Sequence, residues 1–139
     1  MTVTEDQRVA RSRLKRHIQR EGLVSAMNDT KWRRLFDALE PIQGFLDFRR
    51  KDVREEEPDA DCWCGDLYMM FGGEESIEWL DIRGILSVRR GALLASKTED
   101  KAEALVEAVR SAGVAFSTGD GCIRVWGYVR PGTSPDWER

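Results

Sequence analysis

One histidine and three cysteines in 139 residues leave few of the side chains on which most nucleophilic and metal-dependent catalysis depends. No apolar run approaches the ~20 residues of a membrane-spanning helix, and the Arg-rich first twenty residues lead into no apolar stretch of the kind a secretory leader carries. A Gly-rich phosphate loop, a Walker lysine and a dinucleotide fingerprint are also missing. From residue 55 to residue 82 there is not one Lys or Arg. These absences argue against a transmembrane protein, a nucleotide-dependent enzyme of the common types and a histidine-based hydrolase. The expectation is a soluble, cytoplasmic protein.

What is present is enough to fold. Apolar residues make up 41% of the chain, and a chain of this length buries roughly two-thirds of its unfolded surface without disulfide or metal staples. We expect residues 1–139 to form a single domain, with 1–21 a basic helical arm and 131–139 an irregular tail.

The net charge of −3 conceals a sharp partition. Residues 1–54 carry 13 basic and 8 acidic side chains, a balance of +5, and residues 83–139 carry 9 and 7, a balance of +2. Between them lie ten acids: Glu55, Glu56, Glu57, Asp59, Asp61, Asp66, Glu74, Glu75, Glu78 and Asp81. Such a block produces a strong local field in a chain that is almost neutral as a whole.

Hydrophobic periodicity and breakers give the elements. Ala10, Leu14 and Ile18 form a thin stripe on an otherwise basic first helix, which Gly22 ends. Asn28, Asp29 and Thr30 offer caps to a second helix with Trp32, Leu35, Phe36 and Leu39 on its core face, closed by Pro41. Residues 45–53 alternate as a half-buried strand, 54–66 read as an exposed acidic loop, and 67–71 and 76–82 read as strands around Gly72-Gly73. Residues 85–95 favour a hairpin over a helix. Ser96 and Glu99 match a capping box for a helix over about 97–112, with Gly113 as its left-handed cap. Residues 114–117 and 122–129 then flank Thr118-Gly119-Asp120-Gly121 as a β-hairpin, with Ile123, Val125 and Val129 on one face. Two helices, a largely antiparallel sheet, a further helix and a C-terminal hairpin make an α+β fold.

Four chemistries deserve weighing. Cys62 and Cys64, with Cys122 and His17, present zinc-type ligands, but their single intervening residue is shorter than the spacing of about two to four in structural sites. They read as free thiols, and we assign no metal and no cofactor. His17 lies on the basic helix as an ordinary surface residue. Pro58-Asp59 and Glu99-x-Lys101 echo the acidic signature of restriction-type nucleases, yet Glu99 and Lys101 open a helix where that fold needs a strand. The fourth is the acidic block, interleaved with Trp63, Tyr68 and Trp79. Carboxylates repel nucleic-acid phosphate and attract a basic protein, and aromatic residues beside charge are typical interface anchors. Trp79 fits the core, and Trp63 fits interface and core equally.

The run Met27-Asn28-Asp29-Thr30-Lys31-Trp32-Arg33-Arg34-Leu35-Phe36-Asp37-Ala38-Leu39, with Ser76-Ile77-Glu78-Trp79-Leu80 and Ile123-Arg124-Val125-Trp126-Gly127-Tyr128, resembles a small bacterial family of unknown function over residues 23–128. The resemblance implies a fold and no catalytic role. In size and charge the chain is also similar to immunity proteins of secreted bacterial toxins, an analogy of style. The expected function is therefore non-enzymatic protein binding, most specifically neutralisation of a cognate toxin by an acidic face. The expected partner-binding residues are Glu55, Glu56, Glu57, Asp59, Asp61, Trp63, Asp66, Tyr68, Glu74 and Glu75. The alternatives are a small metal-dependent hydrolase using the acidic cluster and a nucleic-acid-binding regulator using Arg8, Arg11, Arg13, Lys15, Arg16 and Arg20.

Overall fold

The computed structural model describes residues 4–84, 95–119 and 121–137, with backbone alone over 95–102. Helix α1 (Glu5–Glu21) starts at a capping box between Thr4 and Gln7 and buries none of its residues completely. Its stripe is half-buried at Leu14 and Ile18, and the basic side chains around it face solvent. The chain then forms β1 (Val24–Ser25) and enters α2 (Asp29–Leu39), where the Asn28 side chain accepts a hydrogen bond from the Lys31 amide at 2.8 Å. The α-helix ends at Leu39, just before Pro41 as expected, and the chain continues as a 3₁₀ helix (Glu40–Phe45). Pro41 sits near the start of this 3₁₀ helix, where its missing amide proton is no loss.

Strands β2 (Leu46–Asp52), β3 (Ile77–Gly84), β4 (Phe116–Gly119) and β5 (Cys122–Trp126) form an antiparallel sheet in the order β2-β3-β5-β4. A second, two-stranded sheet pairs β1 with β6 (Tyr128–Val129). Along the chain, α3 (Leu67–Met70) and a 3₁₀ turn (Glu74–Ser76) separate β2 from β3, and α4 (Ala95–Ser111) separates β3 from β4. The architecture is α+β, as the element pattern predicts.

Several boundaries move. The apolar stretch 67–71 is a short helix and not a strand, because Asp66 accepts a hydrogen bond from the Tyr68 amide at 3.0 Å and starts a helical turn. Five apolar residues are too few to separate the two periods. Helix α4 already includes Ala95, so Ser96 lies in its first turn and not ahead of it. At its other end Gly113 takes the expected left-handed conformation, φ 73°. The expected hairpin over 85–95 lies outside the described residues except for Ala95, which belongs to α4.

The expected strand 122–129 breaks at Gly127. Its amide donates to the Glu78 carbonyl at 2.8 Å, and its own carbonyl accepts from Ala26 at 2.9 Å, so one residue hands the chain from the large sheet to the small one. A Cβ here would collide with the Ile77 carbonyl and press on the Trp32 ring. Val129 consequently leaves the face that Ile123 and Val125 share and pairs with Val24.

Strand register sorts the two faces of the large sheet. Leu80 stands between Arg50 and Val125, with Phe116 beyond, and Ile82 stands between Phe48 and Ile123. This face meets α2 and α4, burying Leu35, Leu39, Phe48, Leu80, Ile82, Val109, Phe116 and Val125 in one cluster. Full burial of a side chain of this size contributes about 1.5–3 kcal/mol. On the opposite face the register places Arg49, Asp81, Arg124 and Ser117 in a single row across all four strands.

Candidate functional site

Two of the concave regions among the described residues gather aromatic and charged side chains. The first is a groove of 590 Å³ between α2 and the segment 68–75. Trp32 and Phe36 on α2 meet Phe71 edge-on, with ring centroids 6.0 and 5.1 Å apart, and Phe36 meets Tyr68 at 5.5 Å. Asp29, Glu74 and Glu75 add carboxylates to the lining, against the one guanidinium of Arg33.

Arg50 holds the segment in place from the edge strand. Its guanidinium donates to the carbonyls of Met70 (3.1 Å), Gly72 (2.8 Å) and Gly73 (3.1 Å) while pairing with Asp52 at 2.6 Å. Glu74 accepts from the Gly72 amide at 2.7 Å, and the Tyr68 hydroxyl donates to Glu40 at 3.4 Å. Tyr68 and Met69 remain 58% and 70% exposed, so the groove has an apolar lip facing water.

The second region is a cleft of 390 Å³ over the polar sheet face, lined by Arg49, Trp63, Arg83, Arg124, Trp126 and neighbours from β4 and β5. Asp81 lies completely buried beneath it. It accepts from Arg49 at 2.8 Å and from two nitrogens of Arg124 at 2.7 and 3.0 Å. The guanidinium groups also stack on indoles: Arg83 lies 3.9 Å from the Trp63 ring centroid and Arg124 3.8 Å from that of Trp79. Trp79 is therefore buried, but it stands outside the main apolar cluster and on the arginine side.

Beside this row, Glu78 is buried and accepts from Lys51 at 2.9 Å and from Arg130 at 2.7 Å. Burial alone would raise the carboxyl's pKa, but the hydrogen bonds from Arg130 and Lys51 and their charges overcome it and hold the value below its ordinary position. Arg124 moves upward: burial works against its charge, and the Asp81 carboxylate more than compensates. Tyr128 is pushed up by burial and by the Glu75 carboxylate, while its hydroxyl donates to the Glu75 carbonyl at 2.7 Å.

The ten residues expected to bind a partner occupy distinct places. Tyr68, Glu74 and Glu75 line the groove. Glu55, Glu56, Glu57, Asp59 and Asp61 are exposed on the loop that follows β2, and Arg49 ties that loop down by donating to the Asp59 and Ala60 carbonyls at 3.4 and 2.9 Å. Trp63 belongs to the arginine cleft, where Arg49 and Arg83 both stack on it. Asp66 is exposed and caps α3. The remaining two members of the acidic block, Glu78 and Asp81, are internal ion-pair partners and add nothing to an exposed acidic face.

Sequence reasoning missed the arginines of the sheet. A signal existed, since Glu78 and Asp81 interrupt an otherwise apolar strand and a buried carboxylate requires a cation. Their partners come from β2, β5 and residue 130, and only the register identifies them. His17, expected as an ordinary surface residue, is half-buried with Nε2 3.1 Å from the Val53 carbonyl, which docks α1 onto the end of β2. None of the three cysteines is in a disulfide, and Cys64 bridges to Phe48 through backbone hydrogen bonds. Among the described residues no group of three or more His, Cys, Asp or Glu side chains is placed to hold a metal ion, and no helix is long and apolar enough to cross a membrane.

The fold and its clefts define an α+β protein whose antiparallel sheet is covered by helices on one face and carries a layer of paired arginines and tryptophans on the other. The chain belongs to a family of unknown function, DUF6678, matched over residues 14–132. That span contains every residue that lines the two clefts. No curated protein and no solved structure matches the chain.

Proposed function

We propose that this protein is a non-enzymatic binding domain whose groove between α2 and residues 68–75 receives a basic segment of a partner protein. The observation that carries the reading is the groove itself, in which Trp32, Phe36, Tyr68 and Phe71 gather beside Asp29, Glu74 and Glu75. Aromatic anchors surrounded by charge of one sign suit an apolar side chain flanked by Lys or Arg. Arg50 and the Asp66 cap preorganise the segment, which lowers the ordering cost of association.

In its finer form the proposal is an immunity protein of the cytoplasm that occludes the active site of a cognate bacterial toxin. The exposed Glu55, Glu56, Glu57, Asp59 and Asp61 support this form by supplying a negative field to steer a basic cleft inward. Co-expression with the products of neighbouring reading frames tests it. One such product should be toxic alone, harmless with this protein and recovered with it in stoichiometric amount. Tyr68→Ala should weaken that complex by about tenfold or more, as loss of a central aromatic anchor does. Full protection by a folded Tyr68→Ala, Glu75→Lys double variant would overturn the groove as the interface.

A further inference from the structure

The arginine cleft is separate from the proposed docking groove, and its side chains are not fully used by the fold. Three guanidinium groups, Arg49, Arg83 and Arg124, face two buried carboxylates, Asp81 and Asp47, which leaves one positive charge without a buried counter-ion among the described residues. Arg49 and Arg124 are committed to Asp81 at 2.7–3.0 Å. Arg83 is different. Among the described residues its only acceptor is Asp47, at a long 3.5 Å, and its Nε, like that of Arg49, is buried without a partner.

The surroundings hold that guanidinium in place regardless. Trp63 packs against it at 3.9 Å, fixing its plane, and Asp47 stands directly across on β2. Arg124 lies diagonally from Arg83 on the neighbouring strand, a separation of roughly 7–8 Å between Cα atoms that long side chains bridge easily. Beyond Arg124 in the same row, the Ser117 hydroxyl accepts from the Trp126 indole at 2.9 Å, and its own proton has no acceptor among the described residues. The Arg83 side chain, 26% exposed, and Ser117 thus line one cleft, whose 390 Å³ falls within the range of small-ligand sites.

We propose that this cleft binds the carboxylate or phosphate group of a small ligand, with Arg83 as its principal contact and Arg124 and Ser117 completing the cradle. An oxyanion there would supply the missing negative charge and the missing acceptors together, and a fixed guanidinium fork matches its geometry. The acidic loop already leans toward this position: the Glu57 carboxylate is close enough to Arg124 to favour its charged form. Glu57 is exposed, so it acts as a weak internal competitor that a tighter anion displaces.

The test is a titration of the full chain with inorganic phosphate and, separately, with citrate, followed by calorimetry and by tryptophan fluorescence, with sodium chloride at matched ionic strength as the control. Trp63 and Trp126 line the cleft and Trp79 lies beneath Arg124, so occupancy should change emission. The expected result is saturation with one of the two anions and none with chloride. The anion that saturates at lower concentration distinguishes a phosphate from a carboxylate ligand. Arg83→Gln should weaken binding by about tenfold or more, the loss of a charge-assisted pair of hydrogen bonds, with Arg83→Lys in between. Glu57→Gln should tighten it, and Tyr68→Ala should leave it unchanged because the groove is a different site. If Arg83→Gln fails to fold, Ser117→Ala removes a donor without touching an ion pair and should weaken binding too. Absence of saturation with both anions in the folded wild type overturns the proposal, as does equal affinity in the folded Arg83 and Ser117 variants.

Discussion

At the scale of single residues, the decisive groups are two carboxylates that the sequence places in an apolar strand. Asp81 and Glu78 lose their water on folding and are stabilised only because Arg49, Arg124, Lys51 and Arg130 arrive from other elements. Such pairs contribute little relative to an apolar replacement, but removal of one partner strands a buried charge. For Glu78 the sign follows from its lowered pKa. The carboxylate form is favoured in the folded state, so its contribution is fully present above the ordinary carboxyl range and is lost as pH falls through the depressed folded value. Thermal unfolding should therefore show a falling midpoint as pH drops from about 6 to about 3. Glu78→Gln should be less stable at pH 6 and show a shallower acid slope.

At the scale of elements, junctions matter more than the elements they join. Gly127 passes the chain between the two sheets with its backbone against Ile77, and the clash of any Cβ would force β5 away from β3 or tilt the Trp32 ring. Gly127→Ala should destabilise the protein by about 1–3 kcal/mol, the usual range for forced overpacking, measurable as a lower denaturant midpoint. The same change at the open Gly44 should have a much smaller effect, because nothing lies within 4 Å of the added carbon. The short helix α3 makes a similar point. One Asp66 cap and three carbonyls held by Arg50 turn an apolar stretch that reads as a strand into the wall of a groove.

At the scale of the whole molecule, the charge partition is redistributed by folding. Two of the ten central acids are neutralised inside, Asp66 caps α3, Glu74 accepts from the Gly72 amide, and the exposed remainder concentrates on the loop after β2 and beside the groove. Long-range steering then depends on Glu55, Glu56 and Glu57, since exposed charge acts at a distance of about one Debye length, roughly 8 Å at physiological salt. Replacing all three with Lys should slow association with a basic partner by about tenfold or more at low salt, with the difference shrinking as salt rises. Stopped-flow association rates at two ionic strengths measure this, and the dissociation rate should change far less.

The amino-acid sequence by itself determined the α+β class, the caps at Asn28 and Gly113, the core stripe of α2, the buried face of β5 at Ile123 and Val125, and the sharp division of charge along the chain. These follow from periodicities of 3.6 and 2 and from local backbone chemistry, which act within a few residues. Tertiary structure alone decided the row from Arg49 through Asp81 and Arg124 to Ser117, the pairing of Glu78, the position of Trp63 among arginines and the gathering of Trp32, Phe36, Tyr68 and Phe71 into a groove. Each of these unites residues from segments far apart in the chain. Their meeting depends on strand order and register, which are set by how the whole apolar face packs and by no local signal.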